Sequence, residues 1–258
     1  MDFDFAHIAV PFRMQPGLRK LARGAARLTP LAPASALRAE KQRVLEAGAS
    51  RLAVPGFDAA PALEAIHDVH PYDGPLELAF EEDFAVLDGA DTTLPWLCVC
   101  VPSHWAPEEK IGLPFAAVHA PVADNATLLA ASRQLVRLAT SGDEFERFVW
   151  TVTPSGRYDQ HPRRHAREPW PAADDAKAFA ARCHLRAERQ AFFPVGRGTR
   201  QAVFTIRVML QPLAEAVDTR EKAARLHDSL ASMSEDVLAY KGLAPAREPL
   251  LRWLEGQR

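Results

Sequence analysis

The sequence predicts an α+β fold, with helices at both ends and a mainly antiparallel sheet in the middle. Three observations predict it. Near the N-terminus, Ser35 to Gly48 carries helical spacing between a capping residue and a glycine stop. From about Gly74 the apolar period shortens towards two. Finally, two long runs, Leu185 to Phe193 and Ala202 to Leu210, flank PVGRGTRQ as a hairpin and precede capped helices.

In chain order, PFRMQPGLRKL (11–21) holds two prolines and Gly17, and reads as a turn-rich entry. ALRAEKQRVLEAG follows Ser35, and its Leu37, Val44 and Leu45 share a helical face. PALEAIH (61–67) is a short helix with proline at its first position. Leu76, Leu78 and Phe80 alternate with polar residues as a strand does, Phe84 to Leu87 continues it, and Asp88-Gly89 signals a hairpin. Leu94 to Val101, bounded by Pro95 and Pro102, fits a buried strand. Pro107 to Lys110 makes one helical turn ended by Gly112, and Asn125 to Thr140 is an amphipathic helix. Phe148 to Thr153 is strand-like. Residues 154–176 form a long, polar, proline-rich connection of the kind that is usually functional or mobile. Asp218 to Glu221 is a capping box opening a helix to about Met233, and Ser234 opens a last helix ending at Lys241-Gly242. The expected organisation is an N-terminal turn-rich and helical segment (1–73), a sheet core with an inserted helix and loop (74–213), and C-terminal helices (214–258).

Composition narrows the function classes. The chain has 258 residues, 48% hydrophobic and 25% charged, enough for a substantial core. A formal net charge of −2 gives no general attraction to nucleic acid or an anionic membrane. The start, MDFDFAHIAV, lacks a signal peptide's basic flank, and no run of about 18 apolar residues spans a bilayer. Three cysteines make no disulfide framework, so a cytoplasmic protein is expected.

Cys98-Val99-Cys100 invites a metal reading, but C-x-C without a second pair is a poor zinc pattern, and two small buried residues on one strand face are expected. His119 is a lone histidine among apolar residues. Taken alone it is a hydrogen-bonded core histidine, although a haem iron needs only one protein nitrogen and an apolar pocket. If Phe193 pairs with Gln201, Arg189 lies opposite Thr205, Arg207 lies opposite Ala187, and Arg189, Thr205 and Arg207 share a face. Two arginines so placed need an anion between them, either a carboxylate of the protein or a ligand's carboxylate or phosphate. Arg186, Glu188 and Gln190 line the opposite face, where Glu188 either pairs with Arg186 or meets a cationic ligand. The basic run Arg163 to Arg167 reads as a solvated loop, and Gly196-Arg197-Gly198 as a hairpin turn only.

Several segments together resemble the haem-dependent oxidative N-demethylase family. They are PFRMQPGLRKL (11–21), VPSHWAPEEKIGLPFAAVHAPV (101–122), FVWTV (148–152), LRAERQAFF (185–193), AVFTIRVMLQPL (202–213) and YKGL (240–243). The most specific block runs through Trp105, Lys110, Gly112, His119, Pro121 and Val122, together with the ERQ…FTIR hairpin. The resemblance implies a PAS-like antiparallel sheet with flanking N- and C-terminal helices, modified to hold haem b. It implies oxidative removal of a methyl group from a small secondary amine, with O2 activated at the haem iron. Electrons would come from NADPH through flavin and iron–sulfur cluster partners on other subunits, and oligomers are compatible with it. By the same resemblance His119 is the axial iron ligand, Arg189 and Arg207 are candidates for holding the propionates, and Glu188, or another acid near the pocket, attracts the alkylammonium substrate. His104 departs from the family's P-S-R-W, and the hairpin turn and the segment after Trp150 also depart from its pattern. A non-catalytic PAS-like haem or small-ligand sensor, or a scaffold subunit, is the alternative reading.

Overall fold

The computed structural model describes residues 3–173, 175–196 and 198–258; Arg197, assigned to the hairpin turn from the sequence, lies outside them. Among the described residues the strands are β1 (Arg19–Lys20), β2 (Arg51–Ala53), β3 (Glu82–Asp88), β4 (Trp96–Cys98), β5 (Phe145–Thr153), β6 (His184–Pro194) and β7 (Gln201–Pro212). They form one antiparallel sheet in the order β1-β5-β6-β7-β3-β4-β2. The helices are α1 (Ala36–Glu46), α2 (Ala60–Val69), α3 (Leu76–Ala79), α4 (Phe115–His119), α5 (Ala126–Ala130), α6 (Ser132–Ala139), α7 (Ala176–Ala180), α8 (Leu213–Ala216), α9 (Arg220–Ala231), α10 (Glu235–Lys241) and α11 (Arg247–Glu255). None is long and apolar enough to cross a membrane. The α+β expectation holds.

Alternation along the strands gives the sheet two buried faces. On the back face, Trp150, Leu185, Ala187 and Met209 pack beneath α7, α9, α10 and α11, while Phe84, Val86, Trp96 and Val203 pack beneath α2 and α3. On the front face, Ala85, Leu97, Phe145 and Phe192 meet α4 and α6, while Ile206 and Val208 meet α1 through Leu37 and Val44. Phe3, Phe5 and Ile8 from the N-terminus join the C-terminal helices in one core.

The helix signals act as read. The Ser35 side chain accepts from the Arg38 N–H to cap α1, Ser234 accepts from Val237 to cap α10, and Gly242 ends α10 at φ 66°. The cap of α9 is Thr219, one residue beyond Asp218. Other expectations are corrected. Leu76 to Ala79 is a helical turn, because buried Glu77 is drawn to the Ser50 hydroxyl and the Arg51 guanidinium, and five alternating residues are too few to fix a period. The helix expected over 125–140 is two, meeting at Ala131. The chain does not end on α10, since α11 buries Leu250, Trp253 and Leu254 against α7 and α9.

The hairpin register also differs. Pairing begins at Pro194 and Ala202, so Arg189 lies opposite Arg207 and Thr205 opposite Ala191. The difference from the expected register is two residues. Being even, it leaves every side chain on the face assigned to it.

Gly89 closes the β3–β4 turn against the β6–β7 turn by donating to the Arg200 carbonyl at 2.6 Å. A Cβ there would lie 2.3 Å from Thr140 Oγ1 and 2.7 Å from Arg200 O, so no larger residue fits.

One buried ion pair fixes α1 to the sheet. Lys41 is 0% and Asp83 2% exposed, with Nζ 3.0 Å from Oδ1, and Nζ also donates to the carbonyls of Phe80 and Glu82. Burial is the largest single influence and opposes the Lys41 charge, but Asp83 together with Cys100 and Cys98 raises the lysine pKa above its ordinary value. We expect Lys41→Met to lower stability by about 3–5 kcal/mol, because Asp83 would keep its charge without a counter-ion. The measurement is the urea midpoint at unchanged m-value, and an unmoved midpoint would contradict the expectation.

Candidate functional site

The front face of β5 and β6 is unusually polar for the middle of a sheet. Across it run the rows Arg147–Gln190–Ile206, Val149–Glu188–Val208 and Thr151–Arg186–Leu210. Arg147, Val149, Thr151 and Gln190 remain partly exposed, although α4 to α6 lie over the neighbouring row of Phe145, Phe192 and Phe204. We call this partly exposed strip the groove. On one side stands α4 with the loop after it. On the other stands α10, joined to that loop by a 3.0 Å bond from Ser234 Oγ to Asp124 Oδ2. Lys241 on α10 donates to the carbonyl of Trp150 at 2.8 Å, beyond the two-residue reach of β1 along β5.

His119 ends α4 beside this groove. Its Nδ1 lies 2.8 Å from the Phe115 carbonyl, and its ring lies 4.1 Å from the Phe115 ring between centroids. A carbonyl only accepts, so Nδ1 carries the proton and Nε2 keeps its lone pair. Burial lowers the ring's pKa to about 4; the Phe115 bond opposes the shift, and the charges of Arg147 and Lys110 add to it. The imidazole is therefore neutral at ordinary pH, with one nitrogen fixed and the other available as a donor to a metal. Asn125 steadies the end of α4 by donating its side-chain amide to the His119 and Ala120 carbonyls.

Glu188 sits at the centre of the face in a defined network. One carboxylate oxygen accepts from the Ser103 hydroxyl and the other from Gln190 Nε2 at 2.7 Å. Arg186 in turn donates to Ser103 Oγ at 2.8 Å and to the carbonyls of Arg157 and Val101. Arg147, on the same face, is different. Its Nε is sealed from solvent without a partner, and among the described residues its guanidinium makes no hydrogen bond or ion pair. Lys241 is also crowded, and burial takes its pKa down to about 8, with Glu188 raising it and Arg147 lowering it.

The structure thus brings His119 and Glu188 to one face. Arg189 and Arg207 share the back face as predicted, and carboxylates of the protein meet them there. Arg189 Nε donates to Glu146 at 2.9 Å and Nη1 to the Ala26 carbonyl at 2.7 Å, and Arg207 Nε donates to Glu81 at 2.6 Å. β4 ends at Cys98, and Cys98 and Cys100 belong to different apolar clusters. Cys98 packs with Phe84, and Cys100 with Val101 and Ile206. Burial pushes both thiols well above their ordinary pKa. The long connection after β5 is well anchored: Asp159, Gln160 and His161 are buried, and Glu40 accepts from the backbone of Tyr158 and Asp159. A recess of about 140 Å³ beside α1 is lined by Glu40, Arg43, Asp159, Arg164 and His165, and Arg164 there bonds Asp159 at 2.8 Å.

Sequence reasoning missed Arg147 and Ser103. A strand read from Phe148 excludes Arg147. The signal was a full FERFVWTV alternation, which places a charged residue on a covered face in the strand second from the sheet edge.

These residues fit a haem. Among the described residues no three His, Cys, Asp or Glu side chains are arranged around one point as direct metal ligands. A porphyrin-borne iron asks less: one oriented neutral imidazole, an open apolar-edged groove and a cation without a partner. His119, the Phe115–Val118 edge and Arg147 supply these. Comparison with known families gives one match over residues 65–251: haem-dependent oxidative N-demethylase, alpha subunit-like.

The two histidines flanking this region set a pH dependence. Burial lowers His104, as it does His119, to about 4, with Arg167 and Arg186 adding to the shift. A folded pKa below the unfolded value of about 6.5 means the unfolded chain takes up protons first as pH falls. Their contribution is complete above about pH 6.5 and is lost as pH falls towards 4. We expect the urea midpoint of the haem-free protein to fall between pH 6.5 and 4.5, and His104→Gln/His119→Gln to flatten that slope. An equal slope in the double variant would refute this assignment.

Proposed function

The chain belongs to the family described as haem-dependent oxidative N-demethylase, alpha subunit-like, and from that membership we propose that it is a haem-binding subunit that oxidatively demethylates, or otherwise oxidises, a small amine. One observation carries the reading: His119 holds its Nδ1 proton on the Phe115 carbonyl, which leaves a neutral Nε2 with its lone pair as a donor. His119 would then hold the iron of haem b through Nε2. The antiparallel sheet with α4 and α6 across one face supports reading the fold as PAS-like, and His119 and the residues of β5 and β6 on that face would hold the haem.

The bound haem supplies oxygen activation and electron transfer. The chain's own residues supply position and charge. The Phe115 carbonyl keeps the imidazole in one tautomer and orientation. Phe115, Val118 and the Phe192–Phe204 stack, 4.6 Å between centroids, keep the neighbouring side of the groove apolar and dry. Glu188, fixed by Ser103 and Gln190, faces an incoming alkylammonium group with negative charge and turns its carbon substituents towards the groove. Arg189 and Arg207 take a structural part here, tying the back face to Glu146 and Glu81. Electrons reach the subunit from NADPH through flavin and iron–sulfur partner proteins, and its place is the cytoplasm.

Purified protein, reconstituted with haemin, is expected to show a Soret band that disappears in His119→Ala. A protein that stays colourless after reconstitution would overturn the reading. With redox partners supplied, NADPH-linked formaldehyde release from candidate N-methylamines tests the reaction. In that assay Glu188→Gln is expected to raise KM for the amine by about 10-fold, the size of one charge-assisted contact.

A further inference from the structure

The front face carries more positive charge than it neutralises. Arg147, Arg186 and Lys241 surround a single carboxylate, Glu188, whose two oxygens are already engaged by Ser103 and Gln190. Arg186 spends its donors on Ser103 Oγ and two backbone carbonyls, and it feels Glu40, Asp83 and Asp159 on its far side. Lys241 rests on the Trp150 carbonyl, with the rings of Phe12 and Trp150 at 5.4 and 5.8 Å. Arg147 has none of these compensations. Its Nε is desolvated and unpartnered, while the residue as a whole reaches the groove. A guanidinium in this state is costly unless an anion arrives with its own matching acceptors.

We propose that Arg147 is the anchor for a carboxylate carried into the groove by the ligand, and that in the haem-bound protein this carboxylate is a porphyrin propionate. The assignment of the propionate rests on the haem reading of His119. The fork of an arginine matches a carboxylate in two parallel bonds. The position suits one molecule touching both residues, since α4, which ends at His119, packs through Phe115 and Val118 on the Phe145–Phe192–Phe204 row, and Arg147 lies in the next row of the same face. Arg189 and Arg207 are not available for this part, because they lie on the back face against Glu146 and Glu81.

The test compares haemin with haemin dimethyl ester, which lacks both carboxylates, in titrations of wild type and Arg147→Gln followed by the Soret band. Arg147→Gln is expected to weaken haemin binding about 10- to 100-fold, the range of one charge-assisted bidentate contact, and to leave the ester's affinity unchanged. An equal loss with both porphyrins, or no loss with haemin, would overturn the proposal. The haem-free variant gives a second measurement. Removing an unpartnered charge in Arg147→Met is expected to raise Tm by about 2–4 °C, and a fall would show that the guanidinium already has a partner. If wild type takes up no haemin, the haem reading fails separately. The carboxylate site is then decided by the Arg147 Nε–H resonance on adding sodium propionate: a saturable shift supports it, and no shift refutes it.

Discussion

Asp83 carries a charge into the interior of the sheet and settles it on three donors. One oxygen meets Lys41 of α1, and the other accepts from the backbone N–H groups of Cys100 and Val101. Those two bonds turn the chain as it leaves β4. They deliver Ser103 to the point where its hydroxyl reaches Glu188 and receives Arg186. A buried charge thus acts as a pivot between a helix, a strand and the polar face that follows. Its energetic worth is modest, since desolvation offsets most of the attraction. Its geometric effect is large, because no apolar residue at position 83 could accept two backbone donors.

Most of the fold was legible wherever local chemistry decides the structure. Ser35, Ser234 and Gly242 cap helices as their side chains or backbone freedom require, and the even alternation of β6 and β7 placed Arg189 with Arg207, and Glu188 with Gln190. What failed depended on distant partners. Leu76 to Ala79 coils because Glu77 is claimed by Ser50 and Arg51, from a different part of the chain. The hairpin register was set by its turn, which residue types alone did not specify. At the site, His119 was readable as a solitary donor, whereas the Phe115 bond that fixes its tautomer is a matter of helix geometry. Arg147 was invisible for a different reason: what distinguishes it is a buried Nε without a hydrogen-bond acceptor among the described residues, which no local pattern encodes.

The two faces of the sheet divide stability from ligand chemistry. On the back, arginines meet glutamates and aromatic residues fill two cores. On the front, polar residues occupy the middle of the sheet, with helices covering only part of them. In the function proposed above, such a face sacrifices stability for a place where a ligand supplies what the protein lacks, the usual relation between a binding site and its scaffold. The long connection after β5 contributes by being ordered, since Glu40 and Arg164 hold it and Trp170 donates to the Gly242 carbonyl at 2.9 Å, steadying α10.

That last bond has a consequence for how the protein is made. The groove needs Ser103, His119, Arg147 and Glu188, but its outer wall is α10, and α10 is held by Trp170 and by the Lys241 bond to Trp150. A chain emerging from the ribosome N-terminus first can pair β5 with β6 and β7 long before residue 241 is available. During that interval the polar face stands open to water. The wall is added only once residues 235–241 follow, so this face of the sheet is assembled before it is walled.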